Sequence, residues 1–183
     1  MRKLIFQVNI SLDGFADHTV AVADDELHNF STDLLNNIDA ILFGRVTYQL
    51  FESYWPLAPN DPEATQSIVE FANKINEIPK IVFSNTLQDV GWNNTKLVKG
   101  NMAEEVLKLK QGAGKDLSVG GLNLARSLTN LSLIDDYWIL IHPIIVGKGR
   151  RLFDGINERL DLKLVDSQKF HSGVVALHYQ QNK

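Results

Sequence analysis

Cysteine is absent from this 183-residue chain. That excludes a disulfide scaffold, thiolate zinc or iron–sulfur sites and a cysteine nucleophile. Net positive charge is missing as well. The formal charge is −4, so no global basic field draws in nucleic acid or an anionic membrane surface. Long apolar runs are lacking. The longest, Tyr137 to Ile141, is broken by His142 and Pro143 before Ile144 to Val146, far short of the roughly 18 residues of a membrane span. The opening Met1-Arg2-Lys3-Leu4-Ile5-Phe6 starts like a signal peptide, but Gln7, Asn9 and Asp13 interrupt it and no small-residue cleavage site follows. The expectation is a cytoplasmic protein with neither nucleic acid nor membrane as partner. Low-complexity segments, long linkers and solenoid-period repeats are also absent.

What is present is an ordinary globular balance, 44% hydrophobic and 22% charged residues, too apolar for disorder. The length suits one domain spanning 1–183. Short apolar runs alternate with helical patterns. Residues 3–12 read as a strand closing on the turn pair Asp13-Gly14. Leu27, Phe30, Leu34 and Leu35 share one face of a helix over 25–36, with Asp24 or Asp25 as N-cap. Ala40 to Phe43 is a buried central strand ended by Gly44, and a helix follows from Arg45 to Ser53. Asp61-Pro62-Glu63 predicts the start of the next helix, which Pro79 stops. Ile81-Val82-Phe83 is a strand, and Asn101 with Glu104 forms a capping box for a helix ending at Gly112. Leu117-Ser118-Val119 is a strand running into Gly120-Gly121, followed by a helix marked by Leu124, Ala125, Leu128 and Leu131. Strands are expected over 135–142, 162–170 and 173–180, the last two joined at Ser172-Gly173. This order predicts an α/β fold, a mainly parallel sheet with an antiparallel C-terminal hairpin and helices on both faces.

In such sheets ligands bind beyond the carboxyl ends of the strands. One junction is Phe43-Gly44-Arg45-Val46-Thr47-Tyr48. A cation in the first turn of a helix is disfavoured by roughly 0.3–1 kcal/mol unless an anion accompanies it. Arg45 therefore either holds a phosphate together with Thr47 and backbone amides, or swings into solvent or onto a carboxylate. The other junction is Val119-Gly120-Gly121-Leu122-Asn123. It admits either a pyrophosphate at a helix start or simply a tight connection. Neither matches the G-x-G-x-x-G fingerprint, and Gly112-Ala113-Gly114-Lys115 lacks Walker spacing. No metal site is expected, because His18, His28, His142, His171 and His178 include no i, i+4 pair. His142 and His178 suit packing positions. No G-x-S-x-G elbow occurs, and Ser84 with Asn85-Thr86 suits a hydrogen-bonded strand end or turn.

Four motifs occur together in order: Ser11-Leu12-Asp13-Gly14-Phe15, Gly44-Arg45-Val46-Thr47-Tyr48, Val119-Gly120-Gly121 and Pro143-Ile144-Ile145-Val146-Gly147-Lys148-Gly149. With them the chain resembles, from about residue 3 to 180, the bacterial dihydrofolate-reductase-like family that includes the C-terminal reductase domain of the riboflavin-biosynthesis deaminase/reductase. The resemblance implies a three-layer dihydrofolate-reductase-like fold that binds NADPH along the strand ends, and a homodimer. It implies that Gly44, Arg45 and Thr47 contact cofactor phosphate. It further implies that Ser84 lies near the adenosine, and that Gly120, Gly121, Leu122 and Asn123 lie against the pyrophosphate and nicotinamide. Where dihydrofolate reductases carry a carboxylate on the first helix, His28 stands here, with Asp25 and Glu26 one turn earlier. That departure weighs against folate reduction, and Asn85 near Ser84 leaves Arg45 as the main support for NADP over NAD.

The expected activity is an NAD(P)H-dependent reduction of a small heterocyclic or carbonyl/imine substrate. Its proton would come from water or from Asp13, Asp25, Glu26 or His28, with Phe51, Tyr54 and Trp55 on the substrate side or in the core. The alternatives are a phosphoribosylamino-uracil reductase of riboflavin biosynthesis and a non-catalytic nucleotide-binding module. The missing zinc-binding cysteines of a deaminase weigh against the first.

Overall fold

The computed structural model describes residues 1–16, 19 and 24–182; His18 lies outside them. One eight-stranded sheet carries the fold: β1 (Leu4–Ser11), β2 (Ile38–Gly44), β3 (Lys80–Phe83), β4 (Thr95–Val98), β5 (Asp116–Gly120), β6 (Asp136–His142), β7 (Leu162–Lys169) and β8 (Val175–Gln181). Their spatial order is β4-β3-β2-β5-β1-β6-β8-β7. From β4 to β6 all neighbours are parallel; β8 runs antiparallel to β6 and β7 antiparallel to β8. The expected α/β architecture with its antiparallel C-terminal hairpin is the observed one.

Side chains alternate across a strand, which divides the core into two layers. On one face Leu4, Phe6, Leu42, Leu117 and Tyr137 pack under α4 (Met102–Gln111) and α5 (Leu122–Asn130). On the other, Ile41, Phe43 and Val82 pack under α1 (Asp25–Leu35), α2 (Arg45–Glu52) and α3 (Gln66–Glu77). The central strands are apolar on both faces because both are covered, so β2 reads as a continuous hydrophobic run rather than an alternating one.

One expectation fails here and one element was missed. The helix predicted from Asp61 begins at Gln66, because Thr65 caps it by accepting from the Ile68 amide. Asp61 instead accepts from the Glu63 amide at 2.9 Å, closing a local turn after the 3₁₀ segment Ala58–Asn60. Acid-proline-acid satisfies a turn as readily as a helix start. Strand β4 was not expected, because four residues with mixed polarity at a sheet edge carry almost no periodic signal.

Candidate active site

The carboxyl ends of β1, β2, β5 and β6 lie on one edge of the sheet, since these strands are parallel. A cavity of about 420 Å³ opens there. Its floor is the outward row of β1, Gln7 and Asn9, beside Leu140 and His142 of β6. His28 and Ser31 of α1 and Phe71 of α3 form one wall, Phe51 and Trp55 a second, and Val46, Thr47 and the Gly120-Gly121-Leu122 turn a third. The floor is tied down: the Gln7 amide donates to Ser31 Oγ at 2.8 Å, and Asn9 Oδ1 and His142 Nε2 are 2.9 Å apart.

The glycine pair owes its identity to space. Gly121 has φ +106, and a Cβ there would stand 2.4 Å from Thr47 Oγ1. At Gly120 a Cβ would stand 2.4 Å from the Phe43 ring. The chain therefore passes with bare backbone into α5. Helices α1, α3 and α4 are capped by the side chains of Asp24, Thr65 and Asn101. In contrast, α2 and α5 begin with no side-chain cap and no acid in the first turn. These two starts flank the cavity through Val46, Thr47 and Leu122. Uncapped helix starts expose N–H groups and positive dipole ends, the arrangement that accepts a phosphate.

The individual candidates fare differently. Thr47, Gly120, Gly121, Leu122 and His28 line the cavity. Gly44 and Arg45 sit one step behind, at the cap and first residue of α2, with the exposed Arg45 guanidinium donating to Gln49 Oε1 at 3.2 Å. Asn123 follows Leu122 in α5. Ser84 is outside the cavity lining, where its hydroxyl accepts from the Thr86 and Leu87 amides. Asp13 accepts from the Gly147 amide at 2.8 Å and pins the loop after β6. Asp25 accepts from Thr65 Oγ1 at 2.7 Å and from Ser67, and Glu26 from the His171 amide at 2.9 Å. None of these three acids lines the cavity. Phe51 and Trp55 do, whereas Tyr54 is exposed and does not. Among the described residues no group of three His, Asp or Glu is placed to hold a metal ion. Gln7, Asn9 and Ser31 escaped the reading of the sequence. Gln7 and Asn9 carried a signal, two polar residues spaced by two inside a buried strand, whereas Ser31 on α1 carried none.

Burial holds the His28 and His142 imidazoles below the ordinary histidine value; nearby Asp25 and Asp24 oppose this only in part at His28, as does Asp24 at His142. His28 Nδ1 is enclosed and without a hydrogen-bond partner. A depressed histidine pKa means that the unfolded chain takes up protons first on acidification. The neutral rings thus contribute stability in full above the unfolded value of 6.5, and it is lost as pH falls below it. Urea unfolding at neutral pH and at mildly acidic pH is expected to show lower stability in acid. The loss should shrink in a His28→Gln/His142→Gln double variant.

Known proteins repeat this architecture. Residues 2–176 match the family described as RibD C-terminal domain. The uncharacterized protein YyaP of Bacillus subtilis is 35% identical over 186 aligned positions, covering 99% of this chain and 96% of YyaP. A putative riboflavin biosynthesis protein from Shewanella sp. PV-4 superposes with TM-score 0.75 at 22% identity, over 99% of both chains. The Thermotoga maritima deaminase/5-amino-6-(5-phosphoribosylamino)uracil reductase superposes at 0.68 and 16% identity, over 99% of this chain and 57% of that one. Dihydrofolate reductase from Enterococcus faecalis, complexed with NADP(H), superposes at 0.67 and 12% identity, over 99% and 97%. With a profile match along nearly its whole length, on a fold that dihydrofolate reductase also adopts, this chain belongs to the RibD C-terminal domain family.

Proposed function

We propose that the chain is an NADPH-dependent reductase acting on a small heterocyclic or carbonyl/imine acceptor. The observation that carries this is the convergence of two uncapped helix starts, α2 and α5, on a cavity whose other end is aromatic and polar. The side-chain-free turn at Gly120-Gly121 lets a dinucleotide approach the backbone at the start of α5. Gly44, Arg45 and Thr47 would hold one phosphate region, and Gly120, Gly121, Leu122 and Asn123 the pyrophosphate, with Ser84 toward the adenosine. When bound, the dinucleotide supplies a hydride. The protein's part is alignment and exclusion of water. Phe51, Trp55 and Phe71 give a planar acceptor its apolar walls, and Gln7 and Asn9 fix its polar edge. Of the four side chains named as proton donors His28 alone lines the cavity; as its ring is held toward the neutral form, we assign it the relay of a proton from water to the acceptor.

Fluorescence titration with NADPH and NADH tests the reading. NADPH is expected to bind below the millimolar range, and Arg45→Ala to weaken it roughly tenfold, the scale of one charge-assisted contact. Binding of neither cofactor would sink the reductase reading. NADPH binding without oxidation across dihydropterin, pyrimidine-ribitol and carbonyl acceptors would assign a nucleotide-binding module instead. Selective turnover of the pyrimidine-ribitol acceptor would assign the riboflavin-type reaction.

A homodimer forms part of the proposal. On the sheet face opposite to Gln7 and Asn9, Ile10, Ile139, Ile141, Leu177 and Tyr179 border an open apolar recess of about 450 Å³. Next to it the edge strand β7 exposes Leu164 and Val165. A second copy covering this face would appear in light scattering as twice the chain mass, and Ile141→Glu should return it to a monomer.

A further inference from the structure

Lys80, the first residue of β3, is 1% exposed, and among the described residues no carboxylate pairs with it. Its ammonium donates to the Ile75 carbonyl at 2.9 Å and to the Asn76 carbonyl at 2.8 Å, both in the last turn of α3. It also stands 4.3 Å from the centroid of the buried Trp92 ring. A cation suits the C-terminal end of a helix dipole and the face of an aromatic ring. Yet an enclosed ammonium without a counter-ion is costly where an apolar side chain of similar length would fill the space. Lys80 is outside the cavity lining, so it meets no ligand there.

Asn76 connects this charge to the cavity. Its carbonyl accepts from Lys80, and both ends of its side-chain amide are used as well. The oxygen accepts from Trp92 Nε1–H at 2.7 Å, and the nitrogen donates to the Trp55 carbonyl at 2.9 Å. The indole can only donate and the carbonyl can only accept, which fixes the orientation of the amide. Trp55 lies three residues beyond the end of α2 and lines the cavity. Its ring centroid is 4.7 Å from that of Phe71 and 6.2 Å from that of Phe51, the other two rings of the aromatic wall. Its backbone is held at the amide, which donates to the Phe51 carbonyl at 2.9 Å, and at the carbonyl by Asn76.

We propose that Lys80 and Asn76 are positioning residues: Lys80 fixes Trp92 and the end of α3, and Asn76 passes that placement to Trp55, so that a charge outside the cavity sets its aromatic wall. This rests on the cavity being the acceptor site of a reductase, where Trp55 walls a planar ring. The charge can be removed without mutation. Burial lowers the Lys80 ammonium from 10.5 to about 8, so mildly alkaline pH takes the charge away from both carbonyls and the ring. The register partners of Lys80 on β2 and β4, Ile41 and Thr95, do not ionise. Lys74 and Glu77 of α3 make no side-chain hydrogen bond or ion pair among the described residues, and Asp89, on the segment before Trp92, is exposed. From α2, Tyr48 faces Trp92. Its hydroxyl accepts from the Trp92 amide at 3.0 Å and donates to Glu52 at 2.6 Å. Burial, aided by Glu52, raises this phenol above its ordinary 10, so it keeps its proton while Lys80 titrates.

Fluorine NMR of protein labelled with fluorotryptophan tests the coupling, because the chain has 3 tryptophans and Trp55→Phe and Trp138→Phe assign their signals. As pH rises, the Trp92 and Trp55 signals should move together with one midpoint near 8, and Trp138 on β6 should not share it. Lys80→Met should abolish both movements. Asn76→Ala should leave Trp92 titrating and Trp55 still. The same variant should weaken binding of benzamide, a neutral planar probe, roughly fivefold, the scale of one hydrogen bond, with NADPH affinity unchanged. The common midpoint is read on the unaltered protein, so it stands even where a variant folds poorly. A Trp92 signal that does not titrate, a Trp55 signal that ignores Lys80 or still follows it in Asn76→Ala, or equal benzamide affinity with and without Asn76 would overturn the proposal. Failure of benzamide to bind either protein would instead remove the acceptor-site reading, while the paired titration still decides the coupling.

Discussion

Gly121→Ala is expected to destabilise the protein by about 3 kcal/mol, combining a backbone conformation that side chains rarely adopt with an overpacked contact. For a chain of this size that corresponds to a fall in Tm of roughly 6–12 °C. Both terms are visible. Gly121 has φ +106, and the added methyl would stand 2.4 Å from Thr47 Oγ1 and 3.1 Å from Thr47 Cβ. Since the threonine sits in the first turn of α2, relief requires α2 and α5 to separate, which also displaces the two helix starts that flank the cavity. Gly14→Ala is the control. Its φ is +85 but no atom lies within 4 Å of the added carbon, so it bears only the backbone penalty of about 1 kcal/mol or somewhat more. Calorimetry of the two variants separates steric overlap from backbone strain. Equal Tm shifts would show that contact with Thr47 contributes nothing.

Lys110→Met is expected to cost about 3–5 kcal/mol, because it removes one partner of a buried ion pair. The Lys110 side chain is 2% exposed and pairs with Asp135, itself 13% exposed. It also donates to the Leu133 carbonyl at 2.6 Å. Asp135 in turn accepts from the Leu4 amide at 2.8 Å, at the first residue of β1. The pair thus joins the last turn of α4 to the segment before β6 and the start of the central strand. Without the ammonium, the carboxylate stays enclosed beside the Leu133 carbonyl. Urea denaturation of Lys110→Met, Asp135→Asn and the double variant checks this. The double variant should be less destabilised than the sum of the singles, as is usual for groups that act as a pair. Strict additivity would mean that the two side chains stabilise the fold independently.

The residues of the candidate site were legible to different degrees, and the difference has a physical origin. Helices and central strands announce themselves through local periodicity, so α1, α4, α5, β1, β2, β5 and β6 follow from the order of apolar residues. The two strand-to-helix junctions at the cavity were also legible, because a glycine beside a helix start is a local fact. Gly44-Arg45 and Gly121-Leu122 put no Ser, Thr, Asp or Asn at the cap position. The edge strand β4 and the late start of α3 were not, since short polar segments satisfy several local structures equally well.

The chain's order alone therefore determined the fold class and the parallel sheet with its antiparallel hairpin, and it pointed to the strand ends where the cavity opens. Tertiary structure decided which side chains meet there. Asp13, Asp25 and Glu26 looked interchangeable with His28 along the sequence. Yet Gly147, Ser67 and His171, separated from those acids by 134, 42 and 145 residues, claim all three. Of those four only His28 is on the cavity wall, beside a floor of Gln7 and Asn9. Periodicity reports what each residue does to its neighbours within a turn or a strand. A carboxylate's partner is chosen only when loops close and bring distant amides and hydroxyls within about 3 Å, and that choice keeps Asp13, Asp25 and Glu26 out of the cavity lining.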